Sequence, residues 1–159
     1  MLGLSTGSLY TYGLDRVFGL AKEAGFDGIE VLVDRRWDTR QADYLRHLMD
    51  RHGLPVVSLH SPFHLIQVPG WEQDPLWRLK RTKAHVHLSN YNGREHRLLQ
   101  DGHLPLAEFL RRLNQNGYKG IVTLESPPEA LGDGDLGRVS ANLWVMVDFY
   151  RRHFAREGG

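Results

Sequence analysis

The chain contains no cysteine. That excludes a disulfide framework and any thiolate zinc site, so a metal centre here has to be built from histidine and oxygen donors. No apolar run approaches the roughly 18 residues of a membrane span, which predicts none. The opening stretch MLGLSTGSLY has no basic segment followed by an apolar one, which predicts no secretory leader and a cytoplasmic location. Charge of either sign is not in excess: the net value is +1. Nucleic acid and anionic membrane are therefore not expected as partners. The glycine-rich run GDGDLG at 132–137 lacks the spaced acidic ligands and closing glutamate of a calcium loop and reads as a turn. What the chain does have is histidine, nine in 159 residues, in a length that suits one domain with a sizeable core.

Apolar periodicity and glycine stops divide the chain into strands and helices. Leu2–Ser5 reads as a strand, with Thr6–Ser8 as a loop. A helix starts at Leu14-Asp15 and stops at Gly25. Gly28–Val33 is a second strand, followed by a polar loop over 34–39. A helix over Ala42–His52 stops at Gly53, and Pro55–His60 is a third strand. Ser61–Gly70 reads as an irregular loop and Trp71–Thr82 as a helix. His85–Leu88, a helix over Leu106–Asn116, a strand over Ile121–Glu125 and a helix over Gly137–Phe154 complete the series. Strands alternating with helices of this length argue for βα units and a parallel sheet.

Each strand pairs an apolar set with a polar one. Ile29, Val31 and Val33 oppose Glu30; Val57 and Leu59 oppose Ser58 and His60. Val86 and Leu88 oppose His85 and His87, and Val122 and Leu124 oppose Thr123 and Glu125. The apolar sets are expected to pack on helices. The polar sets converge on a shared interior, with the chemistry at the C-terminal ends of the strands. The fold class expected is α/β: an incomplete (β/α) barrel of the TIM type, about five parallel strands with outer helices. The whole chain, 1–159, is one domain, with 1–82 as three βα units and 84–155 as two more. A full (β/α)8 barrel takes about 250 residues, roughly 90 more than this chain. The helix ending near Thr82 runs into Ala84-His85 with no glycine and almost no connection. A block of about three units is expected to be absent there, the alternative being a naturally short loop in a smaller fold.

Four stretches then carry a resemblance: GFDGIE at 25–30, LHSPF at 59–63, HVHLSN at 85–90 and GYKGIVTLE at 117–125. In this order and spacing they resemble the xylose-isomerase-like TIM-barrel superfamily of sugar and sugar-phosphate isomerases and epimerases, inosose dehydratases and one type of apurinic endonuclease. The resemblance implies a divalent metal held by two middle-strand carboxylates, a His and a final Glu. It implies His87 as that His, Glu125 as the last ligand and an acid/base, and Arg94 or Arg97 as a substrate-binding group. The middle-strand carboxylates have no counterpart here, and Asn90 stands where many relatives have Asp. In the nuclease branch the histidine corresponding to His60 binds zinc.

The residues themselves leave alternatives open. His60 is a third metal donor or a structural group. His85 lines the core or faces a substrate, and Glu30 is a substrate-facing or a buried, bonded carboxylate. Trp37, Phe63 and Trp71 wall a sugar pocket or simply pack. Nitrogen and oxygen donors without thiolate suit Mn, Co, Mg or Zn, unless the ion is lost with the middle strands. Three functions follow. The first is a sugar or sugar-phosphate isomerase or epimerase working by metal-assisted proton transfer next to a carbonyl. The second is an inactive, truncated barrel; two open sheet edges then favour a homo-oligomer, which is expected in either case. The third, an apurinic-site endonuclease, is disfavoured by the near-neutral charge.

Overall fold

A computed structural model describes residues 1–34, 36–60 and 85–154. The expected loop at 61–70 with Phe63, the helix at 71–82 with Trp71, and the junction at 82–84 lie outside the described residues.

Among the described residues five strands form one all-parallel sheet: β1 Leu2–Ser5, β2 Gly28–Leu32, β3 Val56–His60, β4 His85–Leu88 and β5 Ile121–Leu124, in the order β3-β2-β1-β5-β4. Around it run α1 Leu14–Ala24, α2 Ala42–His52, α3 Leu106–Gln115, a single turn α4 Pro128–Leu131 and α5 Leu136–Phe154. In α1 Leu14, Val17, Phe18 and Ala21, at i, i+3, i+4 and i+7, are all wholly buried, the stripe that a 3.6-residue repeat turns to one side. Leu2, Leu4, Ile29, Val31, Val122 and Leu124 point outward from the sheet into the same core, with Leu110, Val139 and Leu143 from α3 and α5. Each such side chain contributes about 1.5–3 kcal/mol by leaving water. α1 packs on α2 and α5, and α5 on α3. Both expected glycine stops are left-handed helix caps: Gly25 at φ 90° and Gly53 at φ 56°.

The sheet is curled. β3 and β4 are its two edges. On a flat sheet four spacings of about 4.8 Å would hold them about 19 Å apart, beyond the reach of two imidazoles. Yet the rings of His60 on β3 and His87 on β4 lie 5.3 Å apart, centroid to centroid. The architecture is the incomplete α/β barrel expected, an open half-barrel with its helices outside.

The alternation on β3 departs from expectation. The pairing of β2 with β3 slips by one residue between Ile29↔Val56 and Glu30↔Ser58. This bulge keeps Ser58 and His60 on the inner face but also turns Val57 inward. Leu59, expected to pack on a helix, is 66% exposed. The remaining differences are local. Thr6–Leu9 and Asp38–Arg40 are 3-10 turns where plain loop was expected, and α4 was not anticipated. Phe154 closes the last helix as expected, while its start at Leu136 is one residue earlier.

The inward Val57 requires a residue without a side chain opposite it. A methyl group at Gly28 would overlap Val57 Cγ1 and lie 3.0 Å from Pro55 O. Gly28→Ala is therefore expected to cost about 1–3 kcal/mol by overpacking, read as a lower urea midpoint at unchanged slope. An unaltered midpoint would show that Val57 gives way freely.

Candidate functional site

Glu30 sits mid-strand on β2 between outward-facing Ile29 and Val31, so its side chain must point into the curl, where it is 2% exposed. A buried carboxylate needs donors, and these come from two other strands. Ser58 Oγ of β3 donates to Oε2 at 2.7 Å. His85 Nε2 and His87 Nε2 of β4 lie 3.1 and 3.2 Å from the same oxygen. His85 Nε2 is also 2.5 Å from Thr123 Oγ1 of β5. His87 uses its second nitrogen as well: Nδ1 is 2.9 Å from Glu125 Oε2. His87 thus bridges two carboxylates.

Among the described residues, the other oxygen of Glu30 has no hydrogen-bond partner. Oε1 and His60 Nδ1 are both buried, neither with such a partner among the described residues, and they face one another across 3.7 Å. One donor atom from each of Glu30, His60 and His87 lies within 4.8 Å of the others. These residues could hold a metal ion.

Charge follows this geometry. The hydrogen bonds that His87 donates to Glu125 and then to Glu30 push its imidazole up to about 10 against the opposing effect of burial. Burial raises Glu30, but bonds from His87 and Ser58 outweigh it and hold the carboxylate below its ordinary range. The His87 bond likewise holds Glu125 low. His85, two residues from His87, moves the other way because burial favours its neutral form.

Five of the seven site residues read from the sequence therefore meet in one place: Glu30, His60, His85, His87 and Glu125. The two arginines do not join them. Arg94 is exposed. Arg97 pairs with Asp101 at 3.0 Å, while its backbone bridges Asn90. Trp37 is 65% exposed and packs beside Tyr44, with ring centroids 6.3 Å apart. Ser58 and Thr123 join the cluster without having been named as site residues, although strand alternation had put both on its face.

Asn90, 3% exposed, is the anchor of the loop after β4. Its Nδ2 donates to Leu99 O at 2.7 Å, and its Oδ1 accepts from the backbone N–H of Tyr91 and Leu104 at 2.8 and 3.0 Å. An aspartate there would accept as well but could not donate.

No protein-family model matches the chain, and no solved structure matches it. It is 35% identical over 81 residues to the uncharacterized protein Rv0498 of Mycobacterium tuberculosis and to the uncharacterized protein Mb0509 of Mycobacterium bovis. To the uncharacterized protein ML2432 of Mycobacterium leprae it is 33% identical over the same length. The aligned stretch is 51% of this chain and 29% of each relative, so the chain matches less than a third of those proteins' length.

Two measurements test this arrangement. Asn90→Asp is expected to cost about 1–3 kcal/mol, since Leu99 O loses its donor and a charge is buried; equal urea midpoints would contradict the role. The second is a pH series with chelator present. The His87 contribution is whole below the ordinary imidazole value of 6.5 and is lost as pH rises through about 10. The contributions of Glu30 and Glu125 are present above the ordinary 4.5 and are lost as pH falls through their lowered values. Urea midpoints should therefore fall on the alkaline side near pH 10, and less steeply in His87→Gln. Parallel curves for the two proteins would remove His87 from the explanation.

Proposed function

We propose that this chain carries a metal-assisted proton-transfer site of the sugar or sugar-phosphate isomerase and epimerase kind. One observation carries the reading: a buried carboxylate and two histidines from three strands turn their donor atoms to within 4.8 Å of each other inside the curl. The donor set fits a divalent ion. Glu30 Oε1 and His60 Nδ1 are buried and have no hydrogen-bond partner among the described residues, and nitrogen with oxygen and no thiolate suits Mn, Co, Zn or Mg. When bound, such an ion supplies Lewis-acid polarisation of a substrate carbonyl.

The division of labour differs from the expected one. Glu30, expected to face substrate, is the carboxylate of the donor set, with His60 and His87. Glu125, expected to be a ligand, stands behind His87 and accepts from Nδ1. In that position a carboxylate fixes the tautomer and orientation of a ligating histidine. Held ionised, Glu125 is also the base that takes a proton from the carbon next to the carbonyl, and His85, beside Glu30 and His87, favours its neutral form. The substrate is a small polar molecule. The 81 aligned residues being 29% of each relative, those proteins are about 280 residues long, a length that suits all eight units of such a barrel.

A second reading has its own observation. Leu59 is 66% exposed on edge strand β3, and an open edge with an exposed apolar side chain favours pairing with a second copy. On this reading the chain is an inactive, self-associating barrel.

Elemental analysis after dialysis, with a turnover panel of ketoses and ketose phosphates, separates the two. Under the first reading about one ion per chain is bound, and it is lost in Glu30→Gln and His87→Asn. Glu125→Gln keeps most of the ion and loses turnover by about 100-fold or more, the usual weight of a general acid–base group. No ion, no turnover and a dimer by sedimentation would replace the first reading with the second.

A further inference from the structure

The donor set has a property that its chemistry alone does not require. Two of its members come from the opposite edges of the sheet. Among the described residues β3 is hydrogen-bonded only to β2, and β4 only to β5. No backbone ladder joins β3 to β4. What spans the gap is side chains: His60 and His87 with their rings 5.3 Å apart, and Glu30 between them from β2.

We infer that a divalent cation held by Glu30, His60 and His87 is a clamp that ties the two edge strands together and closes the half-barrel. The inference rests on the metal reading of the site proposed above. The contact that a clamp would replace is the weak one. Glu30 Oε1 and His60 Nδ1 are 3.7 Å apart and make no hydrogen bond. Two donors about 2.1 Å from one ion can stand up to about 4.2 Å apart, so this gap is too wide for a hydrogen bond and suits a shared cation. The other oxygen of the same carboxylate, Oε2, lies 3.2 Å from His87 Nε2, so Glu30 reaches one histidine with each of its oxygens. Glu30 is 2% exposed, so its unpartnered oxygen is aimed inward and not at solvent. The Ser58 bond on one side and the Glu125 bond on the other hold two donor side chains in place before any ion arrives. Because His60 and His87 belong to edges that share no ladder, ion binding is linked to closure, and closure to the stability of the sheet.

The test uses the full chain with Zn²⁺ or Mn²⁺ alone as probe, against the same protein in chelator. Equilibrium dialysis measures binding, thermal unfolding measures stability, and amide hydrogen exchange reports on β3 and β4 separately. At an ion concentration near 100 times the dissociation constant the folding equilibrium should rise about 100-fold, a Tm increase of roughly 5–10 °C for a domain of this size. Exchange at 56–60 and at 85–88 should slow together. In His60→Ala binding should weaken, and the protection of β3 should vanish while some at β4 survives. An ion that binds with protection confined to one edge, or with no change in Tm, overturns the clamp and leaves the metal site standing. No binding at millimolar ion overturns the donor set and the clamp with it. The comparison of unsubstituted protein with and without ion decides the matter even if His60→Ala fails to fold.

Discussion

Burying a carboxylate is costly unless donors surround it, and the inside of this sheet is organised by that requirement at Glu30. Ser58, His85 and His87 reach one oxygen from two other strands, and His60 faces the second. These strands are not all neighbours. β4 lies three places from β2 in the sheet order, so the donors arrive only if the sheet curls. The apolar core outside the sheet is sufficient to make strands and helices. It does not by itself explain why two edges approach one another. The carboxylate and its histidines supply that reason.

The same requirement sets the electrostatics. His87 is held between two carboxylates and favours its charged form, while His85 is buried beside it and favours the neutral one. Two residues of one strand, on one face, thereby acquire opposite tendencies from small differences in what surrounds them. Without an ion, an imidazole that favours its charged form, two carboxylates held low and a second imidazole that favours its neutral form have the parts for moving a proton over a short distance; an ion at His87 Nε2 would take the place of the proton there. Its position inside the curl of parallel strands matches where barrels keep their chemistry.

Much of this was legible in the chain. The α2 boundaries Ala42 and His52 followed from Leu45 and Leu48 and the glycine at 53, because a left-handed cap leaves a local mark. The inward set of Ser58, His60, His85, His87, Thr123 and Glu125 followed from strand alternation, which needs no tertiary information. Other features were not legible. The slip between β2 and β3 arises from how two strands fit together, so Val57 and Leu59 were assigned the wrong surroundings. The role of Asn90 depends on carbonyl and amide groups up to 14 residues away, and its side chain was compared only with what relatives carry. The loop arginines were carried over by resemblance, and Arg97 is instead committed to Asp101. That Glu30 is the centre and not a peripheral member depends on the curl, which no strand encodes alone.

The slip also marks where this segment can change length. The surplus residue of β3 is Val57, which lies between Val56, paired with Ile29, and Ser58, paired with Glu30. Deleting that one codon would restore simple pairing and leave Ser58 and His60 opposite Glu30 and Leu32, on the inner face. A one-residue deletion at this point is therefore compatible with the site, and it would remove the neighbour that confines position 28 to glycine.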